Sequence, residues 1–381
     1  MGRGCSTVLA CLMFLAFLAA CSNEAQRVPS ASAVVSPPAS SPGTVQPSEE
    51  YKQEAQELYT FINTKLTGRY GVYTNLLDTT QSAEAATGHE VLSESASLMM
   101  LSAVRNGEEQ LFARQWALSK QTFGMEGGFS YRYSPKLQKQ YTVNAAVDDL
   151  RMIGALYEAG EVFDNQEYKD EAEKYSEIFY TNNVIDGYMY DMFDIYFKNN
   201  NGFVTLCYIN LSILRNLSID SESKGILLHN MSEILEDGYL SDQFPFYATR
   251  FDYKTGTYSS DPINTVESLL SILNLAETGQ QRPESIRFIK QQVAAGTLYG
   301  QYTHEGKPAN EVRSTAIYAL TAMIGAETGD SGLYEASMER MNEFRITDPS
   351  SPLYGGFGDP NTGQAYSFDN LMALLAYSYK P

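Results

Sequence analysis

Carboxylates at the starts of three predicted helices are the side chains of this chain best suited to chemistry. Glu94 begins the apolar stretch "ESASLMMLSAV", and Asp148 and Asp149 begin "DDLRMIGALYEAG". Asp261 precedes Pro262 in "YSSDPINTVESLL". Acidic residues are rarely fully buried unless they are paired. Carboxylates followed by so much apolar sequence are therefore candidates for a working site.

Each carboxylate has a chemical and a structural interpretation. In the first, Glu94 is a general acid whose burial raises its pKa, so that it keeps a proton at neutral pH. Asp148 and Asp149 repel each other, and the apolar helix after them places at least one near an apolar wall. In the second, Ser93 caps the helix of Glu94, and the aspartates only cap their own helices.

Other kinds of site find no support in the sequence. His89, His229 and His304 show no metal-ligand spacing such as HExxH, and there is no GxSxG elbow, Walker loop or dinucleotide fingerprint. No metal or cofactor is therefore expected. The net charge of −19 argues against nucleic acid as a partner.

The first part of the chain is typical of export. Residues 1–20 contain Arg3 and the apolar run "TVLACLMFLAFLAA", which predict a signal peptide. "LAAC" predicts lipidation at Cys21, and residues 21–47, rich in Ser, Pro and Ala, predict an extended tether. Cys207 is the one cysteine after these segments and is expected to pack as a small apolar side chain. We expect a lipid-anchored extracytoplasmic monomer whose folded domain is residues 48–381.

Helical periodicity recurs in about twelve segments of that domain. They are 48–66, 91–105, 108–122, 145–159, 166–180, 203–216, 221–234, 261–275, 282–295, 309–326, 330–344 and 367–378. Short and long breaks alternate, so that six helix pairs would gather their long loops on one rim. This predicts an all-α fold, an (α/α)6 barrel, with "FSYRYSPKLQKQYTVN" as a small β-hairpin in a rim loop. The alternative is an open solenoid of helix pairs, but the segments share no consensus.

Three motifs resemble glycoside hydrolase family 8, a family of inverting (α/α)6-barrel enzymes that includes endo-β-1,4-glucanases, chitosanases and xylanases. Its S-E-G-Q-x-Y-G segment appears as "SESASLM", with Glu94 on the general acid. Its F-x-x-x-W element appears as "FARQW", with Phe112 and Trp116. Its A-[ST]-D-[AG]-D signature is similar to "AAVDDLRMIGALYEAGEVF", with Asp149 on the second Asp. The pattern looks like a divergent lipoprotein branch associated with exopolysaccharide operons.

The departures from the family pattern affect the site. Val147 stands where the family has its first, sugar-binding Asp, and Asp148 beside it is a candidate to take over that role by a one-residue shift. The family's Y-D-A-x-R segment, which carries the catalytic base, has no clear copy. Asp261 is the nearest candidate base by position, followed by Asn264. Asp149 or Asp148 is also a candidate for the base.

The resemblance implies an enzyme that cleaves a bacterial exopolysaccharide or another β-linked glycan with inversion. Glu94 would protonate the leaving oxygen, and a second carboxylate about 6.5–9.5 Å away would activate water. Aromatic residues expected to contact the sugar, with Asn264, are Trp116, Tyr131, Tyr133, Tyr190 and Tyr366.

Two other functions fit the same residues. A protein on this scaffold that lacks the base would bind a polysaccharide without cleaving it. A lyase on a similar helical barrel would act on uronic acids, but the acidic net charge suits polyanionic substrates poorly.

Overall fold

A computed structural model describes residues 51–81, 85–259 and 261–381. The predicted signal peptide (1–20), Cys21 and the tether (21–47) lie outside the described residues. Within the described ranges, no helix combines the length and apolar character needed to cross a membrane.

Twelve α-helices account for most of the fold, and each corresponds to one predicted segment. They are α1 Lys52–Phe61, α2 Ser93–Arg105, α3 Glu109–Phe123, α4 Ala146–Val162, α5 Gln166–Asn183, α6 Leu211–Asn216, α7 Ser221–Asp237, α8 Thr265–Ala276, α9 Pro283–Ala295, α10 Thr315–Glu327, α11 Ser331–Asn342 and α12 Ser367–Ala376. A π-helical turn, Ile62–Leu66, follows α1.

The even-numbered helices form an inner layer. Each packs on the next even-numbered helix along the chain, with the contact between α6 and α8 supplemented by a 3-10 turn, Leu206–Tyr208. The last of them, α12, packs against α2. The odd-numbered helices pack outside: α3, α5, α7 and α11 each lie on the helix that precedes them, α1 lies on α12, and α9 lies on α10 and α11. Nearly every residue of α10 is buried, whereas α9 buries only one side.

Sixteen short strands lie in the connections between helices. They are β1 Thr67–Gly68, β2 Gly71–Val72, β3 Val91–Leu92, β4 Gly124–Met125, β5 Gly128–Phe129, β6 Arg132–Ser134, β7 Lys139–Gln140, β8 Val184–Ile185, β9 Tyr188–Met189, β10 Phe193–Asp194, β11 Asn199–Asn200, β12 Phe203–Thr205, β13 Arg250–Asp252, β14 Thr257–Tyr258, β15 Ile263–Asn264 and β16 Gln301–Tyr302. They form seven antiparallel sheets of two or three strands.

The predicted hairpin is present as β6–β7, with Tyr133 opposite Gln140 and Ser134 opposite Lys139. It extends into a three-stranded sheet because β6 also pairs with β3. The other six sheets were not predicted. A strand of two or three residues is too short to show the alternation that identifies a strand in a sequence.

Two predicted helices begin later than expected. The segment 203–216 starts as β12 and the 3-10 turn, because the backbone at 203–205 pairs with β13, and only its last six residues form α6. The segment 309–326 becomes helical at Thr315, after Ser314 accepts a hydrogen bond from the Ile317 N–H (3.4 Å). Apolar residues in an extended segment had been counted in the helical period in the first case.

A buried ion pair fixes the junction between β3 and α2. Arg132 on β6 donates through Nε and Nη2 to the two carboxylate oxygens of Glu90, at 2.9 and 2.7 Å. Both side chains are fully buried. Since β3 pairs with β6 and runs directly into α2, this pair holds the helix start that carries Glu94.

Removing one partner of this pair is expected to destabilise the protein. Arg132→Met leaves the Glu90 carboxylate buried without its cation, a change that costs about 3–5 kcal/mol in comparable cases. The double variant Glu90→Leu/Arg132→Met removes both charges and should recover part of that loss. Urea unfolding monitored by circular dichroism measures both effects.

The matched control is Lys169→Met, which breaks the exposed Lys169–Glu161 pair (2.7 Å). Exposed pairs contribute about 0–1 kcal/mol, so this change should be small. Equal losses in Arg132→Met and Lys169→Met would contradict the role assigned to the buried pair.

Candidate active site

Glu94 lies in the first turn of α2, and its side chain is only partly exposed. The helix begins directly after β3, and no side chain caps it. Burial raises the pKa of Glu94 to about 7, the negative charge of Asp148 raises it further, and Arg151 lowers it. A carboxyl group with a pKa near 7 carries a proton for a large part of the time at neutral pH, as a general acid requires.

Ser93 does not have the predicted capping role. It is the first residue of α2, and its Oγ donates to Asp148 Oδ2 at 2.6 Å. Because Ser93 and Glu94 are adjacent, this bond brings the start of α4 next to the start of α2. Asp148 is thereby placed beside Glu94.

Asp148 is buried and held from two sides. Arg151, one turn further along α4, donates through Nη1 to Asp148 Oδ1 (3.2 Å) and to Ser97 Oγ (2.9 Å). Burial raises the pKa of Asp148, while Arg151 and the bond from Ser93 lower it. Glu94, Asp148 and Arg151 therefore share one centre, which we call the acid centre.

Asp149 lies apart from the acid centre. Its Oδ2 accepts a hydrogen bond from Asn144 Nδ2 (2.9 Å), and Asn144 also donates to Asn183 Oδ1 (2.8 Å). Gly128 of the β4–β5 hairpin covers it so closely that a Cβ there would lie 2.8 Å from Asp149 Oδ2. Neighbouring helix residues point about 100° apart, so only one of the two aspartates can face Glu94. Asp148 faces Glu94, and the placement of Asp149 does not support a sugar-binding or base role.

A second group of charged side chains lies on the same rim. Asp191 is buried, and both its oxygens accept hydrogen bonds from Thr205, one from N–H and one from Oγ1, at 2.6 Å each. Burial raises the pKa of Asp191 to about 7, and nearby Arg250 lowers it. Burial also raises the pKa of Glu267, in the first turn of α8, and Arg250 again opposes the shift.

The 3-10 turn lies between the two groups. Burial raises the pKa of Tyr208, and the negative charges of Asp191 and Cys207, and then of Asp148 and Glu94, raise it further. Cys207 is buried and free, and burial raises the pKa of its thiol. Because Tyr208 senses the charge of both groups, the two border one common space.

The two residues predicted from the missing Y-D-A-x-R segment have different positions. Asn264 is the N-cap of α8, and its side-chain oxygen accepts hydrogen bonds from the N–H groups of Val266 (2.9 Å) and Glu267 (3.3 Å). Asp261 is exposed at the rim, and its negative charge raises the pKa of Glu267. Neither lies in the acid centre with Glu94.

Sequence reasoning missed Arg151, Asp191, Arg250 and Glu267 as members of the site. Glu267 lies in the segment "NTVES", where a first-turn carboxylate before "SLLSILNLA" gave the same signal as Glu94. Asp191 and Arg250 lie in long loops, where no periodicity shows which side chains point inward.

The prediction that Trp116 contacts the substrate is wrong for this structure. Trp116 is buried between α3 and the residues it packs on, Phe129 (5.7 Å between ring centres) and Tyr175 (5.5 Å). It fills space under the β4–β5 hairpin.

The predicted tyrosines remain at the rim. Tyr131 and Tyr190 are partly exposed, and Tyr190 packs on Tyr253 with ring centres 4.6 Å apart. Tyr133 packs on Tyr70 at 4.8 Å. Tyr366 is half-exposed and donates its hydroxyl to Gln364 Oε1. Their contact with a sugar remains a prediction.

Residues 79–213 match the family described as Glycosyl hydrolases family 8. This range contains the acid centre. The chain is also similar to the Bacillus subtilis (strain 168) protein YdaJ, which is named as a candidate lipoprotein, at 30% identity over 240 residues. That alignment covers 61% of this chain and 64% of YdaJ, so the chain spans slightly less than two thirds of this curated relative.

Solved structures extend the similarity over most of the chain. A protein described as a novel alpha-amylase from Clostridium perfringens is 30% identical, with a TM-score of 0.79 over 85% of this chain and 97% of that one. PssZ from Listeria monocytogenes is 21% identical, with a TM-score of 0.64 over 90% and 98% of the two chains. Endoglucanase and xylanase structures share the fold at 11–15% identity and TM-scores of 0.57–0.61. The chain is a divergent member of glycosyl hydrolases family 8.

Proposed function

We propose that this protein hydrolyses O-glycosyl bonds of a polysaccharide, with Glu94 as the general acid. The observation that carries the proposal is the acid centre itself, a partly exposed Glu94 beside Asp148 and Arg151 within the segment that matches the family. The closed order of packing in the inner layer supports an (α/α)6 barrel, with this centre at the rim.

The acid centre holds two carboxyl groups and one guanidinium. Arg151 contacts Asp148 directly at 3.2 Å, which favours the ionised form of Asp148. Each negative charge then disfavours a second one nearby, so the proton stays on Glu94. Glu94 would give this proton to the glycosidic oxygen as the bond from that oxygen to the anomeric carbon breaks. Asp148 would hold the sugar, the role that the family assigns to the Asp replaced by Val147.

We propose Glu267 as the base that accepts a proton from the attacking water, with inversion at the anomeric carbon. Its side chain is partly exposed, and Arg250 favours its ionised form. Asp191 is less suited, because it is buried and both its oxygens already accept hydrogen bonds from Thr205. Asp191 would instead fix the loop that carries Thr205.

The substrate class follows from the relatives only as a proposal. The alpha-amylase from Clostridium perfringens makes an α-1,4-linked glucan the first substrate to test. The predicted exopolysaccharide and β-linked glycans stay on the same panel. YdaJ supports the proposal that Cys21 is lipidated and that the enzyme works outside the cytoplasm, attached to the membrane by its lipid.

A second function is a polysaccharide-binding protein without hydrolysis. Val147 replaces the family's first Asp, and Asn264, nearest to the missing base segment, is engaged as a helix cap. If Glu267 cannot activate water, the centre would bind a sugar without cleaving it.

The acid role is tested by Glu94→Gln in the full chain. The amide keeps the shape of the side chain but has no proton to donate at the required pKa, so reducing-end release should fall by more than about 100-fold. The panel is soluble starch, carboxymethyl-cellulose, xylan, chitosan and the exopolysaccharide of the source bacterium.

Glu233→Gln, at an exposed position on α7, is the matched control and should keep full activity. Cleavage of one polymer by the wild type and not by Glu94→Gln identifies the substrate. If Glu94→Gln cleaves as fast as the wild type, Glu94 is not the acid. If the wild type cleaves nothing but binds a polymer, the binding function replaces the proposal.

The base is tested by chemical rescue. Glu267→Ala should lose activity by more than about 100-fold and regain part of it with azide, which attacks the anomeric carbon without needing a base. Asp191→Ala should not be rescued, because its loss disturbs the loop that Thr205 anchors. Rescue of Asp191→Ala, with no rescue of Glu267→Ala, would assign the base to Asp191.

A further inference from the structure

Two aromatic rings project from the tip of the β10–β11 hairpin with little cover from the rest of the protein. Tyr196 is 74% exposed and Phe197 71%, the highest values among the large hydrophobic residues that the structure describes. Their ring centres lie 4.9 Å apart at 89°, an edge-to-face pair. Single exposed apolar residues are ordinary, but two adjacent rings on one loop tip indicate a surface with a ligand.

The hairpin presents these rings on a fixed backbone. Phe193 pairs with Asn200 and Asp194 with Asn199. Asp194 Oδ1 accepts hydrogen bonds from the N–H groups of both tip residues, Tyr196 at 2.8 Å and Phe197 at 3.2 Å. The tip is therefore ordered before any ligand arrives, which lowers the entropy cost of binding.

The base of the hairpin belongs to the candidate active site. The segment leaves the body at Asp191 and returns at Thr205, and the two bonds between these residues close the loop. On its other side, Asp194 pairs with Val143, just before α4 and Asp148. Tyr196 is five residues from Asp191, within about 17 Å for an extended chain. A polymer bound in the acid centre and continuing past the reacting bond could reach the tip.

The chemistry of the tip favours a sugar chain over a lipid surface. A sugar ring has a face of C–H groups that packs on an aromatic ring, and the Tyr hydroxyl adds a hydrogen-bonding group. A membrane-binding loop is normally flanked by several basic residues. Here Lys198 stands alone beside Asp194 and Asp191, in a chain with a net charge of −19.

We infer that Tyr196 and Phe197 form a sugar-binding platform that holds the polysaccharide chain outside the catalytic centre. The inference rests on the proposed function, because it takes the ligand to be the substrate polymer. The platform gives the enzyme a preference for long chains, since a short oligosaccharide in the acid centre does not reach the tip.

The test is affinity electrophoresis of the full chain carrying Cys21→Ser, which removes the predicted lipid. The gels contain soluble starch, carboxymethyl-cellulose, xylan or the exopolysaccharide of the source bacterium. Tyr196→Ala/Phe197→Ala should weaken the apparent affinity at least fivefold in the gels that retard the wild type. Tyr196→Phe/Phe197→Tyr keeps both rings and should retain the affinity.

Val162→Ala is the matched control, because Val162 is 42% exposed at the C-terminal end of α4, away from the rim. It should bind as the wild type does. The same proteins are mixed with phosphatidylethanolamine–phosphatidylglycerol vesicles and floated. Flotation that depends on the two rings would replace the sugar platform by a membrane contact.

The outcomes separate this inference from the proposed function. Unchanged affinity in the double alanine variant overturns the platform, even if Glu94→Gln abolishes hydrolysis. Lost affinity in that variant supports the platform, even if the wild type cleaves nothing. If no gel retards the wild type, the platform is overturned.

Discussion

The site depends on one electrostatic constraint, which is that Glu94 and Asp148 share a poorly hydrated centre with only Arg151 as a cation. Two carboxylates that close cannot both be charged without a large cost, so one proton is retained. The contact of Arg151 with Asp148 decides where the proton lies. Glu94 keeps it, although the start of a helix would otherwise favour the charged form.

Much of the surrounding structure keeps this constraint in place. Ser93 joins the starts of α2 and α4 through its bond to Asp148. The buried Glu90–Arg132 pair fixes β3, which leads into α2. The inner helices pack in order from α2 to α12 and back to α2, so that neither α2 nor α4 can shift alone. The acid centre is thus held by packing and polar bonds on rigid elements, while the loops above it supply the remaining charges.

Parts of this arrangement could be predicted from the sequence, for physical reasons. Apolar residues recur every three to four positions in all twelve helices, and a carboxylate before such a run identifies Glu94. The choice between Asp148 and Asp149 could not be made, because it depends on how α4 is rotated against α2. Asp191 and Arg250 lie in loops whose course depends on strand pairs of two or three residues. The burial of Trp116 depends on the hairpin that covers it, which no pattern in the sequence describes.

The pH dependence of unfolding tests the central claim most directly, by comparing the free energies of unfolding of Glu94→Gln and the wild type from pH 4.5 to 8. The pKa of Glu94 is about 7 in the folded state and 4.5 in the unfolded chain, so folding takes up a proton between these values. Wild-type stability from this group is then present at low pH and lost as pH rises through 7. Glu94→Gln should gain stability relative to the wild type across this window, by about 3 kcal/mol at one pKa unit per 1.36 kcal/mol. A difference that does not change with pH would show that Glu94 titrates as an ordinary exposed carboxylate, and would contradict the account.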